Sequence, residues 1–253
     1  MSFRRSYAVA IKIIFTKKLK VTKSEELFMI IISPSVLSAD FSRLAEDISR
    51  VERAGAEYLH LDVMDGAFVP NITFGAPIIA SVRKHSSMVF DVHLMIERPE
   101  RYIDDFISAG ADIITVHFES TQKPLEVLRY IRSKGIKAAI SVKPNTPVED
   151  IFPLLSELDM VLIMTVEPGF GGQKLIPSTL PKIKALKEEI DRLGLTVDIE
   201  VDGGIGYENI GLVTSNGANV IVAGSAIFKT ADYAETIAKM RAEAEKNPYI
   251  AKN

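Results

Sequence analysis

From Ile30 onward the sequence repeats one rhythm: a short β-branched run, an amphipathic stretch, and often a glycine before the next run. The strand candidates cover residues 30–33, 57–64, 88–95, 112–118, 136–142, 160–166, 196–202 and 219–223, eight in all. Between them lie helical patterns such as Leu44, Ile48 and Val51, then Leu125, Leu128 and Ile131, then Leu180, Ile183, Leu186 and Ile190. Gly55, Gly110, Gly135, Gly194 and Gly217 each follow a helical pattern and precede a strand. Glycine accepts the left-handed backbone that closes a helix, which explains the choice of residue. Strands alternating with helices imply parallel pairing through helical crossovers. Eight such units in about 225 residues predict an α/β fold, a single (β/α)8 TIM barrel over residues 29–253. The alternative is an open doubly wound sheet, whose first turn would usually carry a glycine-rich phosphate fingerprint. Here the first strand runs into Ser33, Pro34 and Ser35 instead.

Composition narrows the function. The chain has 253 residues, is 47% hydrophobic and has a mean hydropathy of +0.16, enough for a large core. Its net charge of −3 offers no basic field for nucleic acid. It contains no cysteine, which excludes disulfides, zinc fingers, iron–sulfur clusters and thiol nucleophiles. The missing thiols fit a reducing compartment, and a cytoplasmic location is expected. No stretch approaches the roughly 18 uncharged apolar residues of a membrane span, so no membrane partner is expected.

A barrel strand sends alternate side chains to the interior and to the helices. In the second strand Leu59, Leu61 and Val63 share the helix face, while Tyr58, His60, Asp62 and Met64 share the other. Asp91, His93 and Met95 share a face in the third strand, as do Asp198, Glu200 and Asp202 in the seventh. The polar set therefore points inward, and His60, Asp62, His93 and Asp202 fall at C-terminal strand ends, where barrel enzymes build their sites. An inward acid can instead pair with an inward Lys or Arg, but those strand segments contain neither, and Lys143 is the nearest candidate by sequence. Unpaired carboxylates in an enclosed site are costly, and a divalent cation would compensate their charge. Two imidazoles and two carboxylates without sulfur suit zinc, manganese, ferrous iron or cobalt. His85 and His117 fall outside this set and read as structural or surface residues.

Three glycine clusters follow the last three strands: Gly169-Phe170-Gly171-Gly172, Gly203-Gly204 beside Asp202, and Gly224-Ser225. One cluster would read as a turn. Three at one rim let backbone N–H groups approach a phosphate, helped by a short helix after the eighth strand. The 169–172 loop is also a candidate lid. Met64, Met95 and Met164, near the ends of their strands, can line a pocket that excludes water, although methionine more often only fills core.

These segments together resemble ribulose-phosphate 3-epimerase. The resemblance is carried by residues 32–41 (ISPSVLSADF), 60–66 (HLDVMDG), 69–75 (VPNITFG), 91–95 (DVHLM), 166–173 (VEPGFGGQ), 201–204 (VDGG) and 223–228 (AGSAIF), in order from Met29 to the C-terminus. It implies interconversion of D-ribulose 5-phosphate and D-xylulose 5-phosphate in the pentose phosphate pathway, by a homo-oligomeric enzyme. By the same pattern His60, Asp62, His93 and Asp202 ligate one metal, and Asp62 and Asp202 also serve as the acid/base pair. Ser35 lies against the substrate, and Gly169 to Gly172, Gly203, Gly204, Gly224 and Ser225 hold its phosphate. The chemistry asks for such residues independently. Inverting C3 removes a proton from one face and returns one to the other, which calls for two carboxylates. Rival readings are the same chemistry on a hexose phosphate, a phosphate-barrel decarboxylase or aldolase, and a non-catalytic sensor. Related decarboxylases carry a Lys two residues after an acid on the third strand, where Asp91 is followed here by His93. A sensor would have lost a ligand or a catalytic Asp.

Residues 1–28 stand apart. They hold Arg4, Arg5, Lys12, Lys17, Lys18, Lys20 and Lys23 against Glu25 and Glu26, a net +5. A targeting peptide is one reading, but Lys12 splits the apolar run of residues 7–15 and no small-residue cleavage site follows. The plainer reading is a basic extension outside the fold, ahead of a start at Met29. Deleting residues 1–28 is therefore expected to leave folding and activity intact. A truncated protein that is insoluble or inactive would overturn that boundary.

Overall fold

The computed structural model describes residues 29–249. The basic extension lies outside the described residues. Eight strands follow one another in the chain: β1 (Ile31–Pro34), β2 (Tyr58–Met64), β3 (Val89–Met95), β4 (Ile113–His117), β5 (Lys137–Val142), β6 (Met160–Met164), β7 (Asp198–Asp202) and β8 (Val220–Ala223). All pair in parallel in the order β1-β8-β7-β6-β5-β4-β3-β2. The two ends of that sheet meet at a parallel bridge between Ser35 and His60, and Glu57 N–H donates to Ile32 O at 3.3 Å. This closes the expected barrel.

Its outer layer holds α1 (Leu44–Arg53), α2 (Ala76–Arg83), α3 (Ile103–Ser108), α4 (Pro124–Ser133), α5 (Leu180–Leu193), α6 (Ile210–Thr214), α7 (Ser225–Phe228) and α8 (Tyr233–Ala244). Between β5 and β6 the connection is a 3₁₀ helix, Val148–Glu157, with Pro153 inside it. Proline has no N–H to donate and breaks the α-helical ladder there. The helical stripes face the sheet as expected: Ile48, Val51, Leu128, Ile131, Ile183, Leu186 and Ile190 are buried against Leu59, Leu61, Val92, Leu94 and Ile140. Leu125 and Leu180 are only half-buried, and Val127 takes the inner position in α4.

The barrel interior is layered. Ile31, Tyr58, Ile113, Ala139, Met160 and Val220 fill its lower end with an apolar plug. Two residues further along the strands lie Ser33, His60, Asp91, Thr115, Ser141 and Glu200, with Leu162 and Val222 beside them, all buried. The next layer brings Ser35, Asp62, His93, His117, Met164 and Asp202 to the upper end. Register sets these partners, since β2 and β3 pair His60 with Asp91 and Asp62 with His93.

The lower end is held by arginines. Arg83 donates to Asp112 Oδ2 (2.8 Å), Ser86 O (2.7 Å) and Met88 O (2.8 Å), with its guanidinium 3.6 Å from the Phe90 ring centroid. Arg241 on α8 donates to Ile30 O (2.6 Å) and Gly55 O (3.0 Å) and pairs with Glu57 (2.7 Å), tying the end of the chain to the first strand. All five helix-ending glycines have positive φ, from 64° to 114°. At Gly110 (φ 98°) a β-carbon would also lie 2.6 Å from Arg83 Cδ. We expect Gly110→Ala to destabilise the fold by about 1–3 kcal/mol in urea unfolding. Its kcat should be unchanged, because this loop lies at the barrel end away from the strand C-termini. A variant of wild-type stability would show that Arg83 and the backbone relax freely.

Candidate active site

A cavity of about 380 Å³ opens at the C-terminal ends of the strands. Ser35, Asp62, Met64, Met95, Met164 and Asp202 line its floor and walls, and Gly169, Phe170, Gly171, Gly172, Gly203, Gly204, Gly224 and Ser225 line its rim. His60 and His93 lie directly beneath, fully buried. Every site residue expected from sequence therefore belongs to one locus. Met64 and Met95 pack with Val69, Leu37 and Phe68, and Met164 packs with Leu162 and Val166, which adds an apolar part to the wall of a mixed cavity.

Beneath the cavity three lone-pair atoms converge. His60 Nε2 lies 3.1 Å from His93 Nδ1, and Asp62 Oδ1 lies 3.3 Å from each. Asp202 completes a group whose ligand atoms all fall within 4.8 Å of one another. Bonds of about 2.0–2.2 Å around a first-row divalent ion place neighbouring ligand atoms about 2.8–3.5 Å apart. The donor set therefore fits such an ion. Without a proton or a cation, these lone pairs would repel one another.

The surroundings orient the donors. His60 Nδ1 donates to Asp91 Oδ2 at 2.6 Å, and Thr115 Oγ1 donates to Asp91 Oδ1 at 2.8 Å. That leaves His60 Nε2 facing the site. Ser35 Oγ donates to Asp62 Oδ2 at 2.6 Å, which leaves Oδ1 for the cluster. Thr165 Oγ1 donates to the carbonyls of Asp202 (2.9 Å) and Gly203 (2.6 Å), fixing the end of β7. His60 with Asp91 and Glu200 forms a second close group. There, however, Nδ1 is already committed to Asp91, and Glu200 is pushed well above the carboxylate range by burial and by Asp91.

The two site aspartates diverge. Burial opposes ionisation of Asp62, but the His60 imidazolium and its hydrogen bond outweigh it and hold its carboxyl well below the usual range. Asp202 is pushed up to about 6, by burial first and by Asp62 second. Burial works against a charge on His60, yet Asp62, Glu200 and Asp91 raise its proton affinity well above the ordinary imidazole value. A proton on His60 thus occupies electrostatically the place a cation would take.

The rim is built for close approach. A β-carbon on Gly204 (φ 68°) would run into the backbone of Gln173, Lys174 and Leu175. Gln173 ties the 169–172 loop by donating to Glu167 O (2.7 Å) and Phe170 O (2.9 Å), and Asn71 Nδ2 donates to Gly169 O (2.9 Å). Phe170 stands exposed at the tip. Lys143, the sequence candidate for an ion pair with the acids, instead places its ammonium 4.0 Å over the Phe68 ring. Sequence reasoning missed four contributors. Ser38 and Lys229 also line the cavity, and Asp91 orients His60. His117, read as structural or surface, is fully buried with Nε2 2.9 Å from His93 Nε2. Strand alternation held the signal for His117, which shares the inward face of β4 with Ile113 and Thr115.

Residues 31–228 match the Ribulose-phosphate 3 epimerase family. The chain belongs to that family. A curated ribulose-phosphate 3-epimerase from Eremothecium gossypii is 49% identical over 83% of this chain and 91% of its own length. Another from Bacillus subtilis is 49% identical over 84% of this chain and 99% of its own. A relative from Oryza sativa subsp. japonica, named as the cytoplasmic isoform, is 46% identical over 85% of this chain and 94% of its own. Among solved structures, 3-keto-L-gulonate-6-phosphate decarboxylase from Vibrio cholerae matches with a TM-score of 0.66, covering 87% of this chain and 99% of that one. At 15% identity it shares the barrel alone. Among the described residues no helix is long and apolar enough to cross a membrane.

Metal uptake at neutral pH must displace the proton held by His60, and below about pH 6 a second held by Asp202. Both protons compete with the metal, so affinity should fall as pH falls, and more steeply below pH 6. Calorimetric zinc titrations in buffers of different ionisation heat are expected to show about one proton released per metal at pH 7. Uptake without proton release would contradict the charge assignment of His60.

Proposed function

We infer that this chain is a ribulose-phosphate 3-epimerase, interconverting D-ribulose 5-phosphate and D-xylulose 5-phosphate. Family membership supports the activity. The observation that carries the mechanism is the placement of Asp62 and Asp202 together at one cavity. They enter from β2 and β7, three strands apart around the barrel. Two carboxyls entering from different sides of the barrel can serve as base and acid on opposite faces of the reacting carbon.

His60, Asp62, His93 and Asp202 would hold one divalent cation, with zinc as our first choice and iron, manganese or cobalt as alternatives. When bound, the cation supplies positive charge where negative charge develops on the substrate. The chain's own groups do the rest. The apolar lining of Met64, Met95 and Met164 keeps water from the reacting carbon. Ser35 holds the Asp62 carboxylate in place. Asp62 takes the C3 proton from one epimer, leaving an enediolate, and Asp202 returns its proton to the opposite face. The reverse reaction runs the same transfers backwards. Ser35 lies against the sugar, with His93 below it. Gly169, Phe170, Gly171, Gly172, Gly203, Gly204, Gly224 and Ser225 enclose the phosphate, their N–H groups reachable because little side chain stands in the way. The name of the Oryza sativa relative supports a cytoplasmic location, and a place in the pentose phosphate pathway is carried over from the family resemblance. Assembly as a homo-oligomer is carried over from the family resemblance.

Each general acid–base step is worth roughly 10²–10⁴-fold. Asp62→Asn and Asp202→Asn are each expected to lose at least that much kcat in a coupled assay on D-ribulose 5-phosphate. In D2O each variant should still exchange the C3 hydrogen of one epimer only, and the two variants should choose different epimers. Full turnover by either would refute the assignment. Protein stripped of metal should regain activity when zinc, manganese, ferrous iron or cobalt is added back. Folded protein that is equally active with and without chelator would refute the metal role.

A further inference from the structure

Behind His93 a line of polar groups leads away from the cavity and takes no part in the chemistry above. His93 Nε2 lies 2.9 Å from His117 Nε2, with the two ring planes inclined by 27° and their centroids 5.0 Å apart. His117 Nδ1 lies 3.3 Å from Glu119 Oε2. The other oxygen, Glu119 Oε1, accepts from Lys143 N–H at 2.8 Å and from the Thr146 hydroxyl. Phe68 covers the His117 ring at 4.8 Å between centroids, and both imidazoles are fully buried.

The proton positions along this line follow from its far end. Glu119 Oε1 is saturated by two donors, so the carboxylate is oriented with Oε2 as an acceptor toward His117. His117 Nδ1 therefore carries a proton and its Nε2 a lone pair. Two imidazole nitrogens 2.9 Å apart share one proton, so His93 donates from Nε2. The lone pair of His93 is then on Nδ1, the atom that faces His60 Nε2 and Asp62 Oδ1. We propose that Glu119 and His117 are positioning residues that fix His93 in the tautomer whose Nδ1 is free to ligate the metal. The proposal rests on His93 being a metal ligand. It extends that reading to two residues that touch neither substrate nor metal. A carboxylate acting directly on a ligating histidine is a familiar arrangement. Here a second imidazole carries the carboxylate's influence one ring further.

The test uses the full chain with ¹⁵N-labelled histidine. Removal of such a partner typically lowers metal affinity 10–100-fold. Glu119→Ala and His117→Phe are each expected to weaken zinc binding by that factor in chelator competition. In the metal-free protein, imidazole ¹⁵N spectra should show His93 protonated on Nε2 in the wild type, with a Nδ1-protonated form populated in the variants. The melting temperature of the metal-free protein controls for a merely structural role and should stay close to wild type for Glu119→Ala, whose side chain reaches the surface. If His117→Phe fails to fold, Glu119→Ala carries the comparison. Unchanged zinc affinity in a folded variant would overturn the proposal. So would weaker affinity with unchanged His93 spectra, because the loss would then take another route. Wild-type protein that binds no zinc would refute the metal reading itself, and the His93 spectra would still decide the tautomer.

Discussion

Everything at the upper end of this barrel follows from the need to neutralise acids in a closed lumen. A parallel barrel has no spare backbone donors inside, because its strands spend theirs on one another. Asp62, Asp91 and Glu200 therefore need a proton, an imidazole or a cation each. Asp91 is answered by His60 and Thr115, Glu200 by protonation, and Asp62 by Ser35 and His60. What remains unbalanced is the junction of Asp62, Asp202, His60 and His93. The reaction needs that imbalance, since a site with satisfied charges would have no reason to take up a cation or to pass a proton.

The apolar plug below this junction has an equal share in the design. Ile31, Tyr58, Ile113, Ala139, Met160 and Val220 close the lower end, so the polar layer borders the cavity on one side only. A low dielectric on the other side strengthens each charge–charge contact. The same surroundings spread the two aspartates apart in proton affinity although both sit at strand ends. Burial and the neighbouring charge of Asp62 act on Asp202, while Asp62 receives hydrogen bonds that favour its charged form.

Much of this was legible in the sequence because strand alternation and helix periodicity are local rules. The eight strands begin and end within two residues of expectation, and the inward face of β2, His60 and Asp62 with Tyr58 and Met64, was readable from parity alone. The differences have physical causes. β6 stops at Met164 rather than 166 because Thr165 turns to bind the carbonyls of Asp202 and Gly203. The β5–β6 connection is 3₁₀ rather than α because Pro153 interrupts it. His117 escaped notice because its importance depends on the ring beside it in the neighbouring strand, and register between strands is set by the whole barrel. The pairing of His60 with Asp91, 31 residues apart, is of the same kind. Glu119 is more distant still, since it acts through His117 and its orientation depends on a loop beyond β5.

Closure of the barrel carries a consequence for how the protein is made. Ile31 pairs with Val220, and Arg241 on the last helix clamps the carbonyl of Ile30. A chain emerging from the ribosome presents β1 first and its partner β8 nearly last. Throughout that interval the β1 edge that presents Ile31 and Ser33 has nothing to pair with, because the start of β2 meets the opposite edge at Ile32. Unpaired apolar strand edges invite association with other chains. The stretch of translation between β1 and β8 is therefore when this protein most depends on its cellular helpers, and the arrival of Arg241 ends that exposure.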